Sequence, residues 1–270
     1  MITELRRDTP AYLALAGMQF KSFLAFHWSA LVYILQSLIS MVVFVYFWRA
    51  LYAETTSIAG LTLGTTLNYI LLVRVFQPLS SMGMVGELGY QMRDGGLAQL
   101  LVRPLPLQRA YYVQNGAHVL VMLGRQLPVL LVALLAFQMA LPADPARWAV
   151  FLVTALAGYS VLFCLDYLLG CIVFYTTSAW GLGFAVSGLA MFFGGGLIPL
   201  AMMPTWLRLV AQNTPFAQAL AVPIGLLSGL TPLTDAPRLL LGQLLWLAAL
   251  APLSALVFQR AIRRVTIQGG

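Results

Sequence analysis

The chain has 270 residues, of which 61% are hydrophobic and only 9% charged. A soluble domain carries about 25% charged residues, so this composition excludes an ordinary soluble fold and fits a polytopic helical membrane protein. The net charge is +7 with one lysine, Lys21. The basic residues sit at the ends of apolar runs rather than in a stripe with exposed aromatics, which argues against nucleic-acid binding.

Taken in chain order, the first ten residues carry Glu4, Arg6, Arg7 and Asp8. No small-residue cleavage site follows, so no cleaved signal peptide is expected. Residues 11–27 mix apolar side chains with Gln19, Lys21 and Ser22. That pattern predicts a helix lying in the membrane interface. Spans are predicted at Ala30–Trp48, Leu63–Val85, Tyr111–Met139, Trp148–Tyr175, Trp180–Phe193 and Leu239–Phe258. Gly124 and Pro128 should kink the third. Trp28, Trp48, Trp148, Trp180, Trp206 and Trp246 fall mostly at span ends, as interfacial anchors do. Cys164 and Cys171 lie in an apolar run with no metal-ligand spacing and read as small hydrophobes.

Two stretches break the apolar pattern. Glu87–Arg109 is polar, interrupted by Gly95-Gly96 and closed by Pro104 and Pro106. Gly194–Arg238 is apolar but carries Pro199, Pro204, Pro215 and Pro223 with Arg208, Gln212 and Asn213. Such backbone is tolerated at membrane depth only when buried in protein or lining water. It therefore reads as short re-entrant or interfacial helices. With six spans and the N-terminus inside, the cytoplasmic side holds Arg6, Arg7, Lys21, Arg93, Arg103, Arg109, Arg260, Arg263 and Arg264. The outer side holds Arg49, Arg147, Arg208 and Arg238. That asymmetry favours cytoplasmic N- and C-termini over a seventh crossing.

No phosphate loop, HExxH helix or GxSxG elbow occurs in the sequence, so no enzymatic chemistry is expected. Ionisable residues inside spans are Arg74, His118, Arg125 and Asp166. Each is costly in lipid. They line a substrate path, or they form buried polar pairs such as Asp166 with Arg74 or Arg125. Gly181, Gly183, Ser187, Gly188 and Gly194–Gly196 let helices approach closely, within one protomer, at a dimer seam or at a gate.

Two segments resemble the ABC-2 type permeases, the membrane half of a class of ABC exporters. One is Asp94-Gly95-Gly96 followed by Leu100-Leu101-Val102-Arg103-Pro104-Leu105. The other is Gly195-Gly196-Leu197-Ile198-Pro199-Leu200, then Pro204-Thr205-Trp206-Leu207, Thr214-Pro215-Phe216, Pro223 and Gly229. The resemblance covers nearly the whole chain and implies an all-α fold of six transmembrane helices in a bacterial inner membrane. It implies a second permease, identical or related, and two ABC ATPase subunits that bind ATP and Mg. Arg93, Asp94, Gly95, Gly96, Leu97, Leu100, Leu101, Arg103, Pro104 and Leu105 would form the ATPase-coupling helix. Gly195, Gly196, Pro199, Pro204, Pro215 and Phe216 would form a re-entrant gate. The cargo would be hydrophobic or amphipathic. A stand-alone secondary transporter or channel, or a membrane scaffold, would instead work without the ATPase.

Overall fold

The computed structural model describes residues 2–25, 27–94, 105–175 and 179–268. Helix α1 (Ile2–Ala25) packs mainly along α5 (Leu107–Arg125). Helix α2 (His27–Leu51) is apolar on every side. It buries only the line Met41, Val45 and Trp48, one residue per turn, and exposes Leu31, Leu35, Val43 and Tyr46. A helix that is greasy all round yet seated on one stripe suits a border with lipid or a partner helix. A two-residue hairpin, β1 (Ser57–Ile58) with β2 (Leu61–Thr62), turns the chain into α3 (Leu63–Phe76). The Thr62 hydroxyl accepts the Thr65 N–H and caps that helix.

The second span departs from the continuous helix expected over Leu63–Val85. A 3₁₀ turn at Gln77–Ser80 and irregular residues at 81–83 separate α3 from α4 (Met84–Arg93). Pro78 sits at the start of the 3₁₀ turn, where its missing N–H costs nothing. Helix α4 then occupies residues expected to lie in the polar segment after that span. It packs on α7 (Pro145–Gly170), and Leu88 is fully buried. Only 94–106 remains between α4 and α5.

The break expected from Gly124 and Pro128 falls at Gln126, where α5 ends and α6 (Leu127–Ala136) begins. The Gln126 side chain is buried there and donates to Tyr33 Oη at 3.3 Å and Ser37 Oγ at 3.5 Å. Its NH2 group thus finds acceptors on α2, an interhelical bond of the kind that joins helices in membranes.

Helix α7 is the hub. It meets α4, α10 (Pro215–Ala219), α11 (Ala221–Ser228) and α12 (Ala236–Gln268). Four-residue spacing stacks Tyr159, Phe163 and Tyr167 on one face. Tyr112 packs on Phe163 at 5.2 Å between ring centroids, and Phe258 on Tyr167 at 5.3 Å. Helix α8 (Ala179–Phe193) has 15 residues. That is about 22 Å of helix, short of a hydrocarbon layer about 30 Å thick. Among the described residues, it is the shorter apolar helix beside five helices long and apolar enough to cross a membrane.

Candidate functional site

The stretch after α8 folds back into the protein. A turn at Gly194–Gly196 leads through a 3₁₀ turn at Leu200–Met202 to α9 (Thr205–Gln212), then α10 and α11. Pro199 and Pro204 precede the 3₁₀ turn and α9, and Pro215 opens α10. Gly195 has φ +75°, a left-handed conformation that a side chain would strain.

Helix α3 clasps this turn. The Tyr69 hydroxyl donates to the Gly195 carbonyl at 3.2 Å, and the Arg74 guanidinium donates to the Gly196 carbonyl. Arg74 also reaches Ser40 Oγ at 3.4 Å and lies 4.2 Å over the Phe44 ring. A desolvated cation on an aromatic face contributes about 2 kcal/mol. These bonds hold the turn about 10–17 Å along α3 from Leu63, at 1.5 Å per residue.

Behind the turn, α10 touches α7 backbone to backbone. A Cβ at Gly158 would lie 2.0 Å from the Gln218 carbonyl oxygen. Gln243 of α12 is fully buried and donates to both the Thr154 and Gln218 carbonyls at 2.9 Å. Its one amide therefore ties three helices. At the far end, Arg147 donates to the Leu226 carbonyl at 2.9 Å. Helices α10 and α11 thus run beside the first half of α7, reaching about 20 Å along it from Pro145.

Asp166 does a different task from the ion pairing considered for it. Its Oδ2 accepts the N–H groups of Gly83 at 2.7 Å and Met84 at 2.9 Å. These are orphan donors at the start of α4, where a negative charge is favoured. Asp166 is thereby a helix cap supplied by a neighbouring helix. Arg74 and Asp166 are not brought together: each spends its charge on backbone groups. Arg125 lies at the end of α5 and points its guanidinium at Met122 Sδ, 4.0 Å away. His118 is half-buried on the same helix.

His118 lines a cavity of about 360 Å³. The irregular stretch between α3 and α4 forms one wall, with Gln77, Ser80 and Ser81. Tyr33 of α2 forms another, and Val119 and Met122 of α5 flank His118. Ser187 and Met191 of α8 complete it. Of its lining residues, Ser81 and Ser187 are exposed. Gln77 Oε1 is buried and has no hydrogen-bond partner among the described residues. Of the residues singled out in the sequence for an intramembrane path, His118 alone lines this cavity.

Of the residues expected to couple to an ATPase, Asp94 is exposed and caps α4 through its N–H to the Tyr90 carbonyl. Leu105 borders a groove of about 240 Å³ between α1 and α5. Arg93 ends α4. Gly95, Gly96, Leu97, Leu100, Leu101, Arg103 and Pro104 lie outside the described residues. Of the residues expected to form a gate, Gly195 and Gly196 are held by α3, and Phe216 places its carbonyl 3.3 Å from where a Cβ on Gly194 would stand. Tyr69, Gln126, Gly158, Gln218 and Gln243 went unnoticed in the sequence. The three glutamines carried a usable signal, since each is a polar residue in or beside an apolar helix.

Among the described residues, five helices long and apolar enough to cross a membrane, with polar side chains spent on backbone carbonyls and amides, define an integral multi-pass all-α membrane protein. The chain belongs to the ABC-2 transporter family: the family model described as "ABC-2 family transporter protein" matches residues 10–269. That family supplies the membrane component of ABC transporters and normally works with ABC ATPase subunits. No curated protein matches the chain.

Proposed function

We propose that this chain is the permease subunit of an ABC exporter, moving a hydrophobic or amphipathic cargo outward with ATP and Mg bound by partner ATPases. The family match over residues 10–269 carries this reading. The sequence has no phosphate loop, so ATP would be used elsewhere in the complex. The link between α4 and α5, residues 94–106, is the element to which the ATPase docks. Leu97, Leu100 and Leu101 give its apolar contact, and Arg93, Asp94 and Arg103 its polar contacts. Helix α4 is packed on α7, so a push on that link is delivered to the hub. A second permease, identical or related, covers part of the exposed apolar surface.

The turn at Gly194–Gly196 and helices α9–α11 act as the outer re-entrant gate, with both chain ends on the cytoplasmic side of a bacterial inner membrane. Purifying the chain from its own membranes tests the reading. An ATP-binding subunit co-purifies, and the double change Leu100→Asp and Leu101→Asp lowers its recovery about tenfold or more. Robust transport by this chain alone, without ATP, overturns it.

A further inference from the structure

We infer that the cavity beside the α3–α4 break is a ligand-binding site for an uncharged, hydrogen-bonding amphipath of drug-like size. The inference deepens the transport reading and rests on it for its purpose. Four observations converge. First, the break begins 14 residues into the span, at the end of α3. That is about 21 Å from Leu63, deep in a layer about 30 Å thick. Irregular backbone at that depth must be buried in protein or line a cavity, and this break does the latter.

Second, the volume of about 360 Å³ falls within the range of small-molecule pockets. Third, the polar lining is hydroxyls, an amide and an imidazole: Tyr33, Gln77, Ser80, Ser81, His118 and Ser187. Among the described residues, no Asp, Glu, Lys or Arg borders it. Of the nearby charges, Asp166 faces two amides, Arg74 the Gly196 carbonyl, and Arg125 is held against Met122 Sδ at 4.0 Å. A charged ligand would touch no oppositely charged side chain in the lining and would pay most of its desolvation. Fourth, thioethers at Met122 and Met191 suit an aromatic or otherwise irregular apolar body. Ser81 and Ser187 in the lining are exposed, which gives a ligand access.

The test uses the full chain in lipid nanodiscs with radiolabelled chloramphenicol as probe, a neutral aromatic carrying two hydroxyls and an amide. Its succinate ester and its deacylated amine are anionic and cationic analogues of similar shape. Saturable binding of one probe per chain is expected. Each charged analogue should compete at least tenfold more weakly. Filling the cavity by Ser187→Phe, or independently by Ser81→Phe, should weaken binding at least fivefold with the melting temperature unchanged. Absence of saturable binding up to the probe's solubility overturns the proposal. So does equal competition by either charged analogue, or binding that survives both fillings. No ATPase is needed, so failure here is distinct from failure to recover an ATP-binding subunit.

Discussion

Two stretches of irregular backbone lie inside the apolar body of this protein, one at Gly194–Ala219 and one at Gln77–Gly83. The first is closed. Tyr69 and Arg74 hold its turn, Gln243 ties its lower helix, and Gly158 lets that helix reach van der Waals contact with α7. The second is left open. Asp166 caps its far side at Gly83 and Met84, but Gln77, Ser80 and Ser81 face a cavity. Both carry prolines and glycines, so local composition does not separate them. The difference lies in what each faces: carbonyls saturated by donors from other helices, or space. Saturated irregularity holds a fold together, whereas open irregularity leaves room for a ligand.

The comparison breaks if the closed stretch tolerates crowding. Gly158→Val should be the most damaging change, because its Cβ would stand 2.0 Å from the Gln218 oxygen. Overpacking of this kind costs about 3 kcal/mol or more. Thermal unfolding in detergent should show a large drop or no folded protein, and a melting temperature near wild type would mean that α10 is not seated on α7. Arg74→Met should come next. It removes the donor to Gly196 and Ser40 and the cation over Phe44. A hydrogen bond from a charged donor contributes about 1.5–3 kcal/mol, so a loss of about 2 kcal/mol is expected in the same melt. The open stretch should respond least. Ser80→Ala removes a half-buried hydroxyl bonded only within its own turn. Its effect on stability should stay within about 0.5 kcal/mol. A larger loss would make the break a structural element like its counterpart.

The polar residues show where reading the sequence succeeds and where it stops. The interruption of the third span was legible, because Gly124 and Pro128 act locally on helix geometry. The interruption of the second span was carried by Pro78, with Gln77, Ser80, Ser81 and Gly83 around it, but went unread because apolar residues flank it on both sides. Asp166 and Arg74 stood out at once as costly in lipid. Their partners did not, because sequence points to opposite charges while the fold supplied backbone amides and carbonyls 82 to 122 residues away. Every residue owns such groups, so no pattern of side chains marks the ones used. Gly158 was one glycine among 23, and only the approach of α10 distinguishes it.

By itself the sequence determined that this is a multi-pass helical membrane protein, since an apolar composition with runs of about 20 residues has no other stable solution in water or lipid. It also carried the family, whose model matches residues 10–269. The tertiary structure decided the rest: that α7 is the hub, that Arg74 holds a glycine turn, and that the gap in the second span borders a cavity. Those outcomes depend on which helices meet, and in a uniformly apolar chain hydrophobicity does not choose among neighbours. Close packing of small residues and a few directional hydrogen bonds do.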